Sequence, residues 1–215
     1  MNILKNPYHM IYIIYVFVSL VLGVILGNGL IIFLGWNMTL AFFVYILSKG
    51  YPWFKSKFPK WSYPFYLGLY VLFFPNTIYM LTDFIHFQES LFFLEYPRVY
   101  HLIISEWLIF AHLVIGALFA SKLGINSIHH MISHLAITKT KVKYTLLTLL
   151  FLLSSLGIFI GRFLRFNSWE FMQIFQIISE VFSHFKFAFS FVLIFTLIHY
   201  ITYFIFSFED KKHII

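Results

Sequence analysis

The sequence predicts an all-α, polytopic transmembrane helical bundle of about six spans, with cytoplasmic N- and C-termini and accompanying interfacial amphipathic helices. Three observations predict it. Of the 215 residues, 61% are hydrophobic and only 11% are charged, which leaves no polar shell for water but suits a hydrocarbon solvent. Apolar runs close to the roughly 20 residues that cross a bilayer recur along the whole chain, so 1–215 reads as a single transmembrane domain. The basic residues between those runs alternate between a rich side and a poor one.

Taken in order, the spans fall near 10–27, 29–48, 63–82, 102–121, 144–164 and 186–207. Gly27, Asn28 and Gly29 separate the first two either as a tight turn or as a break within one long helix, in which case five spans remain. Lys5 precedes the first span, but no small-residue cleavage pattern follows it, so the segment is read as a retained span and not as a signal peptide. Trp53, Trp61, Trp107 and Trp169 stand near span ends, where amphipathic rings anchor at the interface.

Orientation follows from charge. Lys5, Lys49, Lys55, Lys57, Lys60, Lys122, Lys139, Lys141, Lys143, Lys211 and Lys212 share one side, eleven of the fifteen basic residues, which assigns that side to the cytoplasm. Arg98, Arg162, Arg165 and Lys186 lie on the other, together with Asp83, Glu89, Glu95, Glu106, Glu170 and Glu180. The net charge of +7 is thus a topology signal and an attraction to anionic lipid, with no basic module for nucleic acid; membrane lipids are the expected partners. With no cysteine, disulfides, thiolate metal sites, iron–sulfur clusters and cysteine nucleophiles are excluded.

The outer side carries the chemistry-bearing residues. In FFPNTIYMLTDFIHF, residues 73–87, the α-helical period puts Asn76, Tyr79, Asp83 and His86 on one stripe, with Asn76 roughly 10 Å deeper than Asp83. Pro75 lacks an amide hydrogen, so a kink is expected there, with a freed carbonyl met by Asn76 or by water. Glu106, roughly 6 Å inside the fourth span, needs a partner or a wet cavity. Arg162 and Arg165, spaced to share a helix face, offer planar forks that suit a carboxylate or an anionic head group.

This cluster supports two readings. In one, it is a ligand-binding site built from Asn76, Tyr79, Glu106, Arg162, Arg165 and Asn167 for an amphiphilic anion, with Asp83 and His86 as a catalytic acid/base pair. In the other, the charges only lock helices together in a structural or accessory envelope protein. A small-solute transporter ranks behind both, because the polar residues gather at one face. Asn167 and Glu170 also form a capping-box pattern ahead of the apolar stripe Phe171, Ile174, Phe175, Ile178 and Phe182, which predicts a helix lying on the outer surface.

PNTIYMLTDFIHF, GRFLRFNSWE and WNMTLAF at Trp36–Phe42 resemble the bacterial integral membrane family called domain of unknown function 1361, over about residues 30–205. Its PN-x-x-Y-x-x-TD-x-x-H pattern matches at Pro75, Asn76, Tyr79, Thr82, Asp83 and His86. The resemblance implies a multi-pass protein of the bacterial cell membrane, and it assigns no activity.

No cofactor is expected. Asp83 and His86 stand one turn apart, but two ligands on one helix without a completed motif such as HExxH do not make a metal site. His112 and His199, the deep histidines, lie at different depths and suit packing better than the two axial positions of a haem. His130 and His134 mimic a ligand pair, yet Ile125, Ile128, Ile132 and Leu135 beside His129, His130, Lys139 and Lys141 predict an amphipathic helix on the inner surface. Gly157-x-x-x-Gly161 predicts a close helix contact.

Overall fold

A computed structural model describes residues 6–89, 102–166 and 171–210, leaving aside the side chains of 87–89, 171 and 208–210. It contains six helical segments long and apolar enough to cross a membrane: Pro7–Ile25, Gly29–Lys57, Lys60–His86, Ile104–His134, Thr140–Leu164 and Phe185–Ser207. Arg162, Arg165, Asp83 and Glu106 lie at one end of the bundle, the arginine end. Lys49, Lys57, Lys60, Lys139 and Lys143 lie at the other, the lysine end.

α1 (Pro7–Ile25) starts where the Asn6 side chain accepts the Tyr8 amide hydrogen at 3.0 Å and Pro7 supplies a preset φ. It ends at Gly27, whose φ of +59° is the left-handed conformation that closes a helix. The next residue, Asn28, caps α2 (Gly29–Lys57) by accepting from the Leu30 amide at 2.9 Å. Residues 27–29 are therefore a turn between two spans. α2 runs nine residues beyond its expected end, through Pro52, and closes with Lys55 and Lys57 on its last turn, where they complement the helix dipole.

Pro75 breaks the third span as its missing amide hydrogen requires. α3 (Tyr63–Phe73) stops, a single turn α4 (Asn76–Tyr79) follows, and Met80–Glu89 winds as a 3₁₀-helix. The Asn76 side-chain amide donates to the Phe73 carbonyl at 2.8 Å, while the Phe74 carbonyl accepts from the Thr77 amide and hydroxyl. Asn76 thus meets the Phe73 carbonyl, which the Thr77 amide leaves free by turning to Phe74.

α5 (Ile104–His134) corrects one expectation. Residues 125–135 are not a separate inner-surface helix; they continue the fourth span into the bundle, with Ile125, Ser127 and Ile128 buried. Their polar neighbours face other helices instead of water: Ser127 bonds Tyr70 at 2.9 Å, His130 bonds Ser48 at 3.1 Å and His129 bonds Ser207 at 3.1 Å. An apolar stripe flanked by polar residues has the same period in either setting, so the pattern alone did not distinguish them.

α6 (Thr140–Phe159) extends through one π-helical turn at Ile160–Leu164 and is ended by Arg165 at φ +60°. α7 (Ile174–Ser183) leaves Ile174, Phe175, Ile178 and Phe182 exposed and buries Ile177, so its apolar face is turned outward, as for a helix lying in the interface. The capping-box residues Asn167 and Glu170, and Trp169, lie outside the described residues. α8 (Phe185–Asp210) completes the bundle.

α2 and α5 form the axis around which the other helices pack. One core cluster joins Tyr15, Leu34, Met38, Met80, Leu113 and Leu123 of α1, α2, the 3₁₀ segment and α5; a second joins Val44, Tyr70, Phe74, Ile128, Phe151 and Tyr203 nearer the lysine end. Gly157 makes the predicted close contact, since a β-carbon there would stand 2.7 Å from Pro75 Cγ, and one at Gly161 would touch Tyr79 at 3.3 Å. The two glycines bed α6 against the break in the third span. Gly157→Ala is expected to lower stability by about 1–3 kcal/mol through overpacking, whereas Gly68→Ala, which meets open space, should be neutral or mildly stabilising; unfolding midpoints in detergent compare them.

Candidate functional site

The change from α to 3₁₀ winding decides which side chains meet. Under an α period Tyr79 and Asp83 are separated by about 40°, but at three residues per turn the separation is about 120°. The expected single stripe therefore splits. Asn76 and Tyr79 line a cavity facing α6, while Asp83 turns toward α2 and is fully buried.

Arg162, on the π turn at the end of α6, reaches across that split. Its Nη2 makes an ion pair with Asp83 Oδ1. Its Nε and Nη2 donate to Thr82 Oγ1 at 2.9 and 2.6 Å, and Nη1 meets His86 Nε2 at 3.2 Å. The guanidinium also lies over the Tyr79 ring, 4.5 Å from its centre. Arginine carries donors only, so His86 Nε2 is the acceptor and the ring hydrogen sits on Nδ1. Asp83 Oδ2 accepts from the Asn37 side-chain amide at 2.9 Å.

Asp83 and His86 thus do not touch as a direct acid/base pair; the Arg162 guanidinium stands between them. Both Asp83 oxygens are engaged and its side chain is 0% exposed, against 12% for Arg162, so neither oxygen faces an incoming molecule. Glu106 does not join: among the described residues it has no ion pair with Arg162 or Arg165. It occupies the first turn of α5, where the exposed amide hydrogens of a helix start favour a carboxylate, and that removes its need for an arginine. Arg165 has no acidic partner among the described residues and is exposed. Asn167 lies outside the described residues. Sequence reasoning gave no role to Asn37 or Thr82, although a lone Asn in an apolar span is itself a polar intrusion that calls for a partner.

Two spaces adjoin the cluster. A cavity of about 260 Å³ lies between α2, the Pro75 break and α6, with Trp36, Asn76 and Ile160 in its wall and Ile174 and Ile177 of α7 at its side. A vestibule of about 610 Å³ is lined by Leu30, Ile85, His86, Arg162 and Arg165. Phe33, Tyr79 and Gly161 belong to both walls, so the two are neighbours across the Tyr79 ring.

Elsewhere, His112 Nε2 meets Ser19 Oγ at 2.8 Å and its ring stacks on Tyr15, while His199 donates from Nδ1 to the Phe195 carbonyl at 2.7 Å and meets Ser154 at 2.8 Å. Each ring serves a different helix pair. Among the described residues no three His, Asp or Glu gather as a metal site.

The family described as "Protein of unknown function (DUF1361)" matches residues 36–202, more than three quarters of the chain. The chain belongs to this family. The matched range begins at Trp36, beside Asn37, and takes in the whole DUF1361 cluster of Asn37, Thr82, Asp83, His86 and Arg162. No curated protein and no solved structure matches the chain.

Asn37→Leu is expected to strand Asp83 Oδ2 and to destabilise this DUF1361 protein by about 1–3 kcal/mol, read as a lowered unfolding midpoint in detergent.

Proposed function

We propose that this multi-pass membrane protein binds an amphiphilic anion at the arginine end, which faces outward in a bacterial cytoplasmic membrane with both termini inside. The observation that carries this reading is the adjacency of a largely apolar cavity to a vestibule whose wall holds Arg162, His86 and Arg165, the last without an acidic partner among the described residues. Apolar volume beside a fixed cation is what a molecule with a hydrocarbon portion and a charged head requires. Arg162 is already neutralised by Asp83 and acts as the rigid wall; Arg165, exposed at the end of α6, supplies the net positive charge. Asn76 and Tyr79 border the chain portion, and the His86 ring is the imidazole closest to the head. Glu106 has no part in this arrangement, and Asn167 lies outside the described residues.

A second reading, that the cluster locks helices in an accessory envelope protein, is favoured by one feature, the complete burial of Asp83 with both oxygens engaged. The two readings assign different residues. Asp83, Asn37 and Thr82 belong to the lock in either case, so only Arg165 separates them.

The test uses dodecyl phosphate added to the protein in a neutral maltoside detergent, with retention read by native mass spectrometry and Trp36, in the cavity wall, as a fluorescence reporter. Binding is expected, and Arg165→Gln should weaken it about tenfold with an unchanged unfolding midpoint. Equal retention by both proteins, or no retention by either, would leave the lock reading standing.

A further inference from the structure

At the opposite end of the bundle a second feature has no part in the arginine cluster. A cavity of about 200 Å³ is bounded by Leu67 and Val71 of α3, Ile132 and Leu135 of α5, and Leu146 and Leu150 of α6, with Lys143 as the charged residue in its wall. Leu135 and Leu146 are 37% and 44% exposed, so the groove opens on the side of the bundle that meets lipid. Its volume is below the roughly 300–1,000 Å³ that holds a whole small molecule, which suits part of a chain continuing into the bilayer.

The residues at its rim are set by the reversal between α5 and α6. Ala136 adopts φ +52°, the chain turns sharply, Ile137 enters the groove wall and Lys139 becomes the residue that precedes α6. Lys139 and Lys141 are exposed. The Lys143 ammonium is held 5.6 Å from the centre of the Tyr203 ring and 5.8 Å from that of Tyr144, and among the described residues it has no acidic partner. Lys49, Lys55, Lys57, Lys60 and Lys122 share this end. The acidic residues that the sequence brings here, Glu209 and Asp210, have side chains outside the described residues. Lys143 in the wall of an aliphatic groove, with the exposed Lys139 and Lys141 at the same start of α6, complements a phosphate carried on hydrocarbon, and a neutral or zwitterionic occupant would leave that charge unmet.

We infer that the groove between α3, α5 and α6 holds an anionic phospholipid of the surrounding membrane. Its acyl chain lies among the aliphatic side chains and its phosphate on Lys139, Lys141 and Lys143. The site is separate from the arginine-end cavity and does not depend on its reading.

Purified full-length protein in a neutral detergent, offered phosphatidylglycerol or phosphatidylcholine of identical chains, tests this by native mass spectrometry. Phosphatidylglycerol should be retained at least about tenfold better. That preference should vanish in Lys139→Gln/Lys141→Gln/Lys143→Gln, and binding should fall in Leu146→Trp, which fills the groove while keeping the lysines. Equal retention of the two lipids would overturn the inference. So would a preference lost with the lysines but unaffected by Leu146→Trp, which marks diffuse surface attraction. A dimer that Leu146→Trp abolishes while lipid retention is unchanged would put a second copy of the chain in the groove and overturn it too.

Discussion

The arginine end depends on one interaction, the ion pair between Arg162 and Asp83. Separating either charge from water is costly, and the pair is tolerated because each remaining group has a partner: Asn37 on the second carboxylate oxygen, Thr82 and His86 on the guanidinium, and the Tyr79 face beneath it. Several backbone features exist in service of that contact. Pro75 ends the α winding, the 3₁₀ segment turns Asp83 inward, Gly157 and Gly161 let α6 approach the break, and the π turn at Ile160–Leu164 brings Arg162 round to meet it. Three spans are thereby joined, α2 through Asn37, the third through Thr82, Asp83 and His86, and the fifth through Arg162.

Much of this was legible in the sequence, for reasons tied to particular residues. The spans follow from hydrophobic length, the kink from Pro75, and the α6 contact from two glycines one turn apart. That Arg162 meets a carboxylate followed from the cost of an unpaired intramembrane charge, but the sequence did not single out Asp83 over Glu106. What was not legible depends on tertiary partners. The switch to 3₁₀ winding has no local signature beyond the proline, and it alone separates Asp83 from Tyr79. Asn37 lies 46 positions from its partner, and nothing near it in the chain names that partner. The lysine-end half of α5 reads as interfacial from sequence because Ser48, Tyr70 and Ser207, which satisfy its polar residues, come from other helices. Glu106 lies in the first turn of α5, where the helix start favours its charge, and charge balance alone does not reveal that placement.

The two ends of the bundle use charge differently. At the arginine end a buried pair fixes geometry, and the exposed Arg165, without an acidic partner among the described residues, lines a vestibule next to an apolar cavity. At the lysine end Lys143 has no acidic partner among the described residues and stands in the wall of an aliphatic groove. The first arrangement specifies the positions of three helices; the second leaves charge to be met by the membrane. Polar contacts between helices, such as Ser154 with His199 and Ser19 with His112, hold the remainder of the structure where lipid offers no hydrophobic driving force between helices.

Asp83 and Arg162 stabilise the fold as a pair. A double-mutant cycle measures this most directly, with Asp83→Asn, Arg162→Gln and the combined variant followed by reversible unfolding in one detergent. The two single changes are expected to cost more in sum than the combined variant does, by a coupling energy of about 2 kcal/mol or more, because either change alone leaves a buried charge without its partner. Effects that sum to within about 0.5 kcal/mol would contradict it.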